Sequence, residues 1–166
     1  MATTGADMER GDVAIGTAIA GIILAGAIFG FFYAWVCSTM WGLDDVDPRA
    51  AIEAMQGMNA SVRNPVFFPA FFLTPFALAA AAFVARGVSG RAAVLLAAAA
   101  AVYLVGGLIL TMTVNVPMND DLAAKAVPAG VEEARRIWED YSPRWQAFNQ
   151  ARTGASGASL LLAVLG

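Results

Sequence analysis

The chain has 166 residues, of which 59% are hydrophobic and 14% charged, and a net charge of −3. Soluble domains carry about 25% charged residues, so this is the composition of a membrane protein. There is no histidine and one cysteine, Cys37. That excludes histidine-ligated haem, copper and zinc-hydrolase sites, a Ser-His-Asp triad and a Cys-x-x-Cys pair within the chain, and no basic run suggests nucleic acid.

Asp7, Glu9, Arg10 and Asp12 precede the first apolar run, a poor match to the positive leader of a cleavable signal, so that run is read as a retained helix. It is free of charge over 13–36 and exceeds the ~20 residues that cross a bilayer. Its Gly26-x-x-x-Gly30 spacing predicts close helix packing. Tyr33, Trp35 and Trp41 read as an interfacial aromatic belt, with ligand lining as the other reading.

Asp47 before Pro48 predicts an N-cap with proline at the first helical position, and Asn64 before Pro65 repeats the pattern. Between them Ile52, Met55, Asn59 and Val62 share a face. A buried Asn59 amide needs a partner, because leaving it unsatisfied costs ~1–3 kcal/mol, and Asn115 is the candidate. The second span, 65–85, is rich in phenylalanine and bent by Pro69 and Pro75, which leaves room for a flat ligand or serves ordinary packing. A tight basic turn, 86–91, leads to the third span, 92–114, whose alanine block and Gly106-Gly107 predict a closely packed helix.

Pro117 predicts that this helix stops near Asn115 and that another starts with Asn119 as N-cap and Asp120 and Asp121 in its first turn. After the Pro128-Ala129-Gly130 turn comes a polar helix, 131–141, with Ala134, Trp138 and Tyr141 on one face. Ser142-Pro143 then predicts the start of the last helix, along which Trp145, Asn149, Arg152, Ser156 and Ser159 form one stripe. Arg152 falls near the membrane boundary, where an arginine is costly unless paired or snorkelling.

The expected fold is all-α: a single membrane domain over 1–166, an integral membrane four-helix bundle with spans at about 13–36, 65–85, 92–114 and 146–166. Two amphipathic helical loops, 47–64 and 119–142, pack on one membrane side. That topology gathers Asn59, Asn115, Asn119, Trp138, Tyr141, Trp145, Asn149 and Arg152 at one end. The opposite turn, with Arg86 and Arg91 and no acid, favours the cytoplasmic side of a plasma membrane, with the polar head outside. The head is either a functional site or a set of ties between the loops and the bundle.

Several pieces together resemble the anthrone oxygenase-like family of small four-helix membrane proteins. They are Met55-Gln56-Gly57-Met58-Asn59, Arg63-Asn64-Pro65, Asn115-Val116-Pro117-Met118-Asn119, Trp138 and Arg144-Trp145-x-x-x-Asn149-x-x-Arg152. The similarity runs from about Gly16 to Leu162. It implies a cofactor-free monooxygenase that converts aromatic anthrones to anthraquinones, an activity tied to some members of the family. The segment between Asn119 and Trp138 is more polar than the family's pattern, and the missing histidine rules out carrying over any histidine-dependent step. On this resemblance Arg152, Asn149 and Asn115 form the catalytic group, and Asn59, Asn119, Trp138, Tyr141 and Trp145 bind substrate. No metal or cofactor is expected. The base is unassigned, with Glu53 and Asp120 as candidates.

The other reading is a non-catalytic membrane protein whose head binds a lipophilic ligand, a partner subunit or a second copy. Ion-coupled transport is disfavoured, because the spans lack internal Asp, Glu or Lys.

Overall fold

A computed structural model describes residues 5–166; residues 1–4, ahead of the first span, lie outside it. Helix makes up 88% of the chain, and no strand occurs among the described residues. Helix α1 (Gly5–Ala34) continues through a π-helical turn, Trp35–Thr39, into α2 (Met40–Asp44). Helices α3 (Pro48–Ser61) and α4 (Phe67–Ala85) follow. Helix α5 (Gly90–Val102) runs on through two π-helical segments, Tyr103–Ile109 and Thr111–Asn115, into α6 (Val116–Ala123), and α7 spans Val131–Leu165.

Three rods, Met8–Asp44, Phe67–Ala85 and Gly90–Ala123, are long and apolar enough to cross a membrane. The protein is therefore an integral membrane protein. Helix α7 is more polar. It packs along α1 and α5, and α4 packs along the same two helices. Helix α3 lies against α6 and α7.

The Asp47 cap forms: Asp47 Oδ1 accepts the Arg49 N–H at 2.9 Å, with Pro48 as the first helical residue. Asn64 Oδ1 accepts the N–H groups of Val66 and Phe67, but α4 begins at Phe67, so Pro65 lies in the turn ahead of the helix and not at its first position. Ser89 Oγ, which nothing in the sequence singled out, accepts the Ala92 N–H. The helix end expected at Pro117 and the helix start expected at Pro143 do not form. No helix ends at Asn115: Asn115 and Val116 both keep helical dihedrals, and the rod continues to Ala123. The widened turn ahead of Pro117 makes this possible, because the Val116 N–H reaches back five residues to the Thr111 carbonyl and the ladder absorbs a residue without a donor. Nor does Ser142-Pro143 start a helix. Helix α7 is continuous for 35 residues with Pro143 inside it. Pro143 and Glu139, whose carbonyl loses its usual donor, are both exposed, so solvent can satisfy that carbonyl.

The Gly26-x-x-x-Gly30 expectation also fails. A Cβ added at Gly16, Gly26 or Gly30 would meet nothing, so these glycines bring no helices of this chain together. The close approaches lie at Gly21 against Leu78, Gly106 against Ala155 and Gly157 against Phe29.

The core has two textures. Ala81, Ala85, Ala93, Ala99 and Ala163 pack with Leu78 and Leu96 between α1, α4, α5 and α7. Elsewhere the buried residues are large: Ile28, Phe32, Phe71 and Tyr103 in one cluster, and Trp35, Met55, Trp138, Tyr141 and Trp145 in another.

Candidate functional site

Between the aromatic clusters lies a cavity of about 290 Å³, close to the lower end of the roughly 300–1,000 Å³ of ordinary ligand pockets. Phe31, Phe32 and Trp35 wall it from α1 and its widened turn, Asn59 from α3, Phe67 and Phe71 from α4, Thr111 from the third rod, and Trp145 and Arg152 from α7. Phe31 packs on Phe67 at 4.8 Å and Phe67 stacks on Phe71 at 5.3 Å between ring centroids, which makes a continuous aromatic wall. At the mouth Arg63, just past α3, is ion-paired with Asp120 of α6, and both side chains are half exposed.

Arg152 is the one strongly buried charge among the described residues, at 5% exposure. Its guanidinium carbon lies 4.3 Å from the Phe32 ring centroid and 5.0 Å from that of Trp145. Arg152 Nε donates to Asn149 Oδ1 at 2.9 Å, and Nη1 donates to Thr111 Oγ1 at 3.3 Å. Thr111 in turn donates to the Gly107 carbonyl, and Asn149 Nδ2 donates to the Phe32 carbonyl. No described carboxylate pairs with Arg152. Two ring faces and two neutral oxygens hold the cation in place. They leave its charge uncompensated, which is expensive in a buried site.

Asn119 is not an N-cap. Its Oδ1 accepts two hydrogen bonds at 2.8 Å, from the Tyr141 hydroxyl and from Trp145 Nε1, and so joins α6 to α7 beside the cavity. Burial pushes the Tyr141 phenol well above its ordinary pKa, against smaller opposing effects from the Asn59 amide and Arg152. Tyr141 therefore stays protonated and serves as a donor.

Of the residues singled out in the sequence, Asn59, Asn119, Trp145 and Arg152 line the cavity, and Asn149 braces Arg152 from behind. Asn115, Trp138 and Tyr141 are not in the lining. Trp138 Nε1 donates to Asp44 Oδ1, which also accepts from Ser142 Oγ, so this ring ties α2 to α7. Asn59 and Asn115 do not pair; Asn59 Nδ2 and both polar atoms of Asn115 lack hydrogen-bond partners. Thr111, Asn115 and Asn119 follow one another four residues apart, and the two outer ones bond α7. The segment that carries Asn115 packs against α7. Glu53 is exposed and outside the lining, whereas Asp120 is at the mouth.

Phe32 and Thr111 gave no sign in the sequence, since each is one apolar or small residue inside a long apolar run. Asp44, the anchor for Trp138, Ser142 and Gln146, is likewise unmarked beside Asp45 and Asp47. No group of three or more His, Cys, Asp or Glu among the described residues is placed to hold a metal ion.

No curated protein and no solved structure matches the chain. A family model described as Anthrone oxygenase matches residues 59–162, which include the third rod and the Trp145-to-Arg152 stretch. That match covers more than half of the sequence, and the chain belongs to the anthrone oxygenase family.

Proposed function

We propose that the protein is a membrane-embedded oxygenase that needs no bound cofactor and acts on a hydrophobic aromatic substrate of the anthrone or phenol kind. The observation that carries this reading is Arg152: a buried cation without a carboxylate partner, set among aromatic rings that match a flat substrate. In the reaction a ring methylene loses a proton to give a carbanion whose charge spreads onto a ring oxygen. The carbanion adds O2, and the resulting peroxide loses water to leave a ketone, so that CH2 and O2 become C=O and H2O. Arg152 meets the negative oxygen, with Asn149 and Thr111 fixing the guanidinium plane, and such preorganised donors supply the main electrostatic stabilisation. Asn59, Asn119 and Trp145 shape the binding wall; Asn115, Trp138 and Tyr141 act behind it.

In the membrane, 146–166 crosses as a fourth span that completes a four-helix bundle. The helical loops 47–64 and 119–142 cap the outer face of the plasma membrane, and the turn with Arg86 and Arg91 lies inside.

The test is product formation by LC–MS from a panel of anthrones and phenols with purified protein in detergent, beside Arg152→Ala and Asn115→Ala. Turnover that needs O2 and disappears in Arg152→Ala supports the reading. Oxidation at the spontaneous rate by folded protein would overturn it in favour of a non-catalytic protein that binds a lipophilic ligand. That second reading has one observation in its favour: the only acid in the lining, Asp120, is already paired with Arg63.

A further inference from the structure

The cavity has a charge to receive a negative oxygen but no evident group to take the proton that creates one. The ionisable groups around Arg152 can be named element by element. Helices α1 and α4 present phenylalanines and Trp35 to the cavity and no ionisable side chain. The third rod contributes Tyr103, whose hydroxyl donates to the Phe71 carbonyl at 2.8 Å, and its α6 end contributes Asp120 at the mouth. Beyond α3 stands Arg63, the partner of Asp120. On α7 the group is Tyr141, whose hydroxyl donates to Asn119. Both tyrosine protons are thus engaged, and the one acid sits at the rim with a cation beside it. The two arginines make the net charge around the cavity positive.

Resting on the oxygenase reading, we propose that the cavity selects its ligand in the ionised, oxyanionic form, so that the proton departs to water as the ligand binds and no side chain of the protein acts as the base. The chemical class is a planar, hydrophobic molecule with one acidic phenolic or enolic O–H. In the binding step that O–H bond ionises, the oxygen keeps the electron pair and settles against the Arg152 guanidinium, and the proton enters bulk water past Arg63 and Asp120. Neutral analogues of the same shape lose the contact that compensates the buried charge. An unlike charge at contact distance favours an ionised oxygen by about one to three pH units, which brings weakly acidic phenols into reach near neutral pH.

The experiment uses the full chain in lipid nanodiscs and probes that do not turn over: 2-naphthol, the more acidic 6-cyano-2-naphthol, and 2-methoxynaphthalene, which cannot ionise. Binding is measured against pH, and the absorption band of the naphtholate reports the protonation state of the bound probe. The expected result is that bound naphthols carry the naphtholate band at least about one pH unit below their solution midpoints. The binding midpoint should differ between the two naphthols by as much as their own acidities differ, and the methoxy probe should bind at least tenfold more weakly than 2-naphtholate. Arg152→Gln should abolish the downward shift, and Arg152→Lys should restore part of it. A single midpoint shared by both naphthols would assign the proton to a protein group and overturn the proposal, as would bound naphthols that stay neutral. None of these readouts needs turnover. An ionised bound probe in a protein that oxidises nothing would therefore sink the oxygenase and leave the anion site standing.

Discussion

The same helices are packed in two ways along their length. Towards the 86–91 turn they meet through Ala81, Ala85, Ala99 and Ala163, with the Ser159 hydroxyl near enough to donate to the Ala99 carbonyl at 2.8 Å. Towards the other end they meet through Phe32, Phe71, Tyr103, Trp35 and Trp145. Small side chains let backbones approach closely and leave no space between them, which is how helices associate where lipid removes the hydrophobic drive. Large rings cannot tile a helix interface so completely, and the cavity lies among them. Cohesion and ligand space are therefore assigned to opposite ends of one structure.

Separate ends should break separately. Ala99→Leu adds volume to a fully buried site in the alanine layer, where overpacking costs about 1–3 kcal/mol. The thermal unfolding midpoint in detergent should fall, while probe binding by the folded fraction stays as it was; weaker binding at unchanged stability would mean that the two ends are coupled. Tyr141→Phe removes one of two donors to Asn119 beside the cavity. Its cost should be about 0.5–1.5 kcal/mol, read as a small shift in the same midpoint, with Trp145 still holding the amide. A loss of turnover larger than several-fold would place the Tyr141 hydroxyl in the chemistry instead.

The smallest expected effect lies outside both ends. Asp47, at the start of α3, has its pKa lowered to about 2, first by the side-chain hydrogen bond from Arg49 and then by the Arg49 backbone N–H. A carboxylate whose folded pKa is depressed stabilises the fold above its unfolded value, 3.8, and this contribution is lost as pH falls from there through about 2. Asp47→Asn, which keeps a capping oxygen but not the charge that pairs with Arg49, should flatten that part of the acid-unfolding curve and leave the variant slightly less stable than the wild type at neutral pH. An identical acid curve for the variant would remove Asp47 from the account.

Much of this was legible in the sequence wherever the signal was local. Asp47-Pro48 states its cap within four residues, and the Asn64 amide oxygen is held by the next residues along the chain, although α4 itself starts at Phe67. The α7 stripe of Trp145, Asn149 and Arg152 follows from helical spacing, and all three side chains are buried on one face. What remained hidden depends on partners distant in sequence or on the ladder itself. Pro117 reads as a stop and Ser142-Pro143 as a fresh start because a regular α-helix cannot absorb a missing donor, yet a widened turn and an exposed carbonyl do so here. Asn119 carries the signature of a cap, and only Tyr141 and Trp145, more than twenty residues away, show why an amide stands there. Gly26 and Gly30 have the spacing of a helix contact but point away from this chain's other helices, since spacing does not say which face is turned inward. Nothing local marks Phe32 or Thr111 as neighbours of Arg152, because each meets it only across the fold.

The most direct test of the central claim is a single-turnover reaction of an anthrone with isotopically labelled O2, run with the wild type and with Arg152→Gln in nanodiscs and followed by mass spectrometry. The account predicts that the wild type places one labelled oxygen in the new ketone, well above the spontaneous rate. Arg152→Gln, folded to the same helix content, should be slower by about 10²–10³-fold, the loss expected for one oxyanion donor. Equal rates and equal labelling in the two proteins would contradict it, because the buried arginine would then have no part in the reaction.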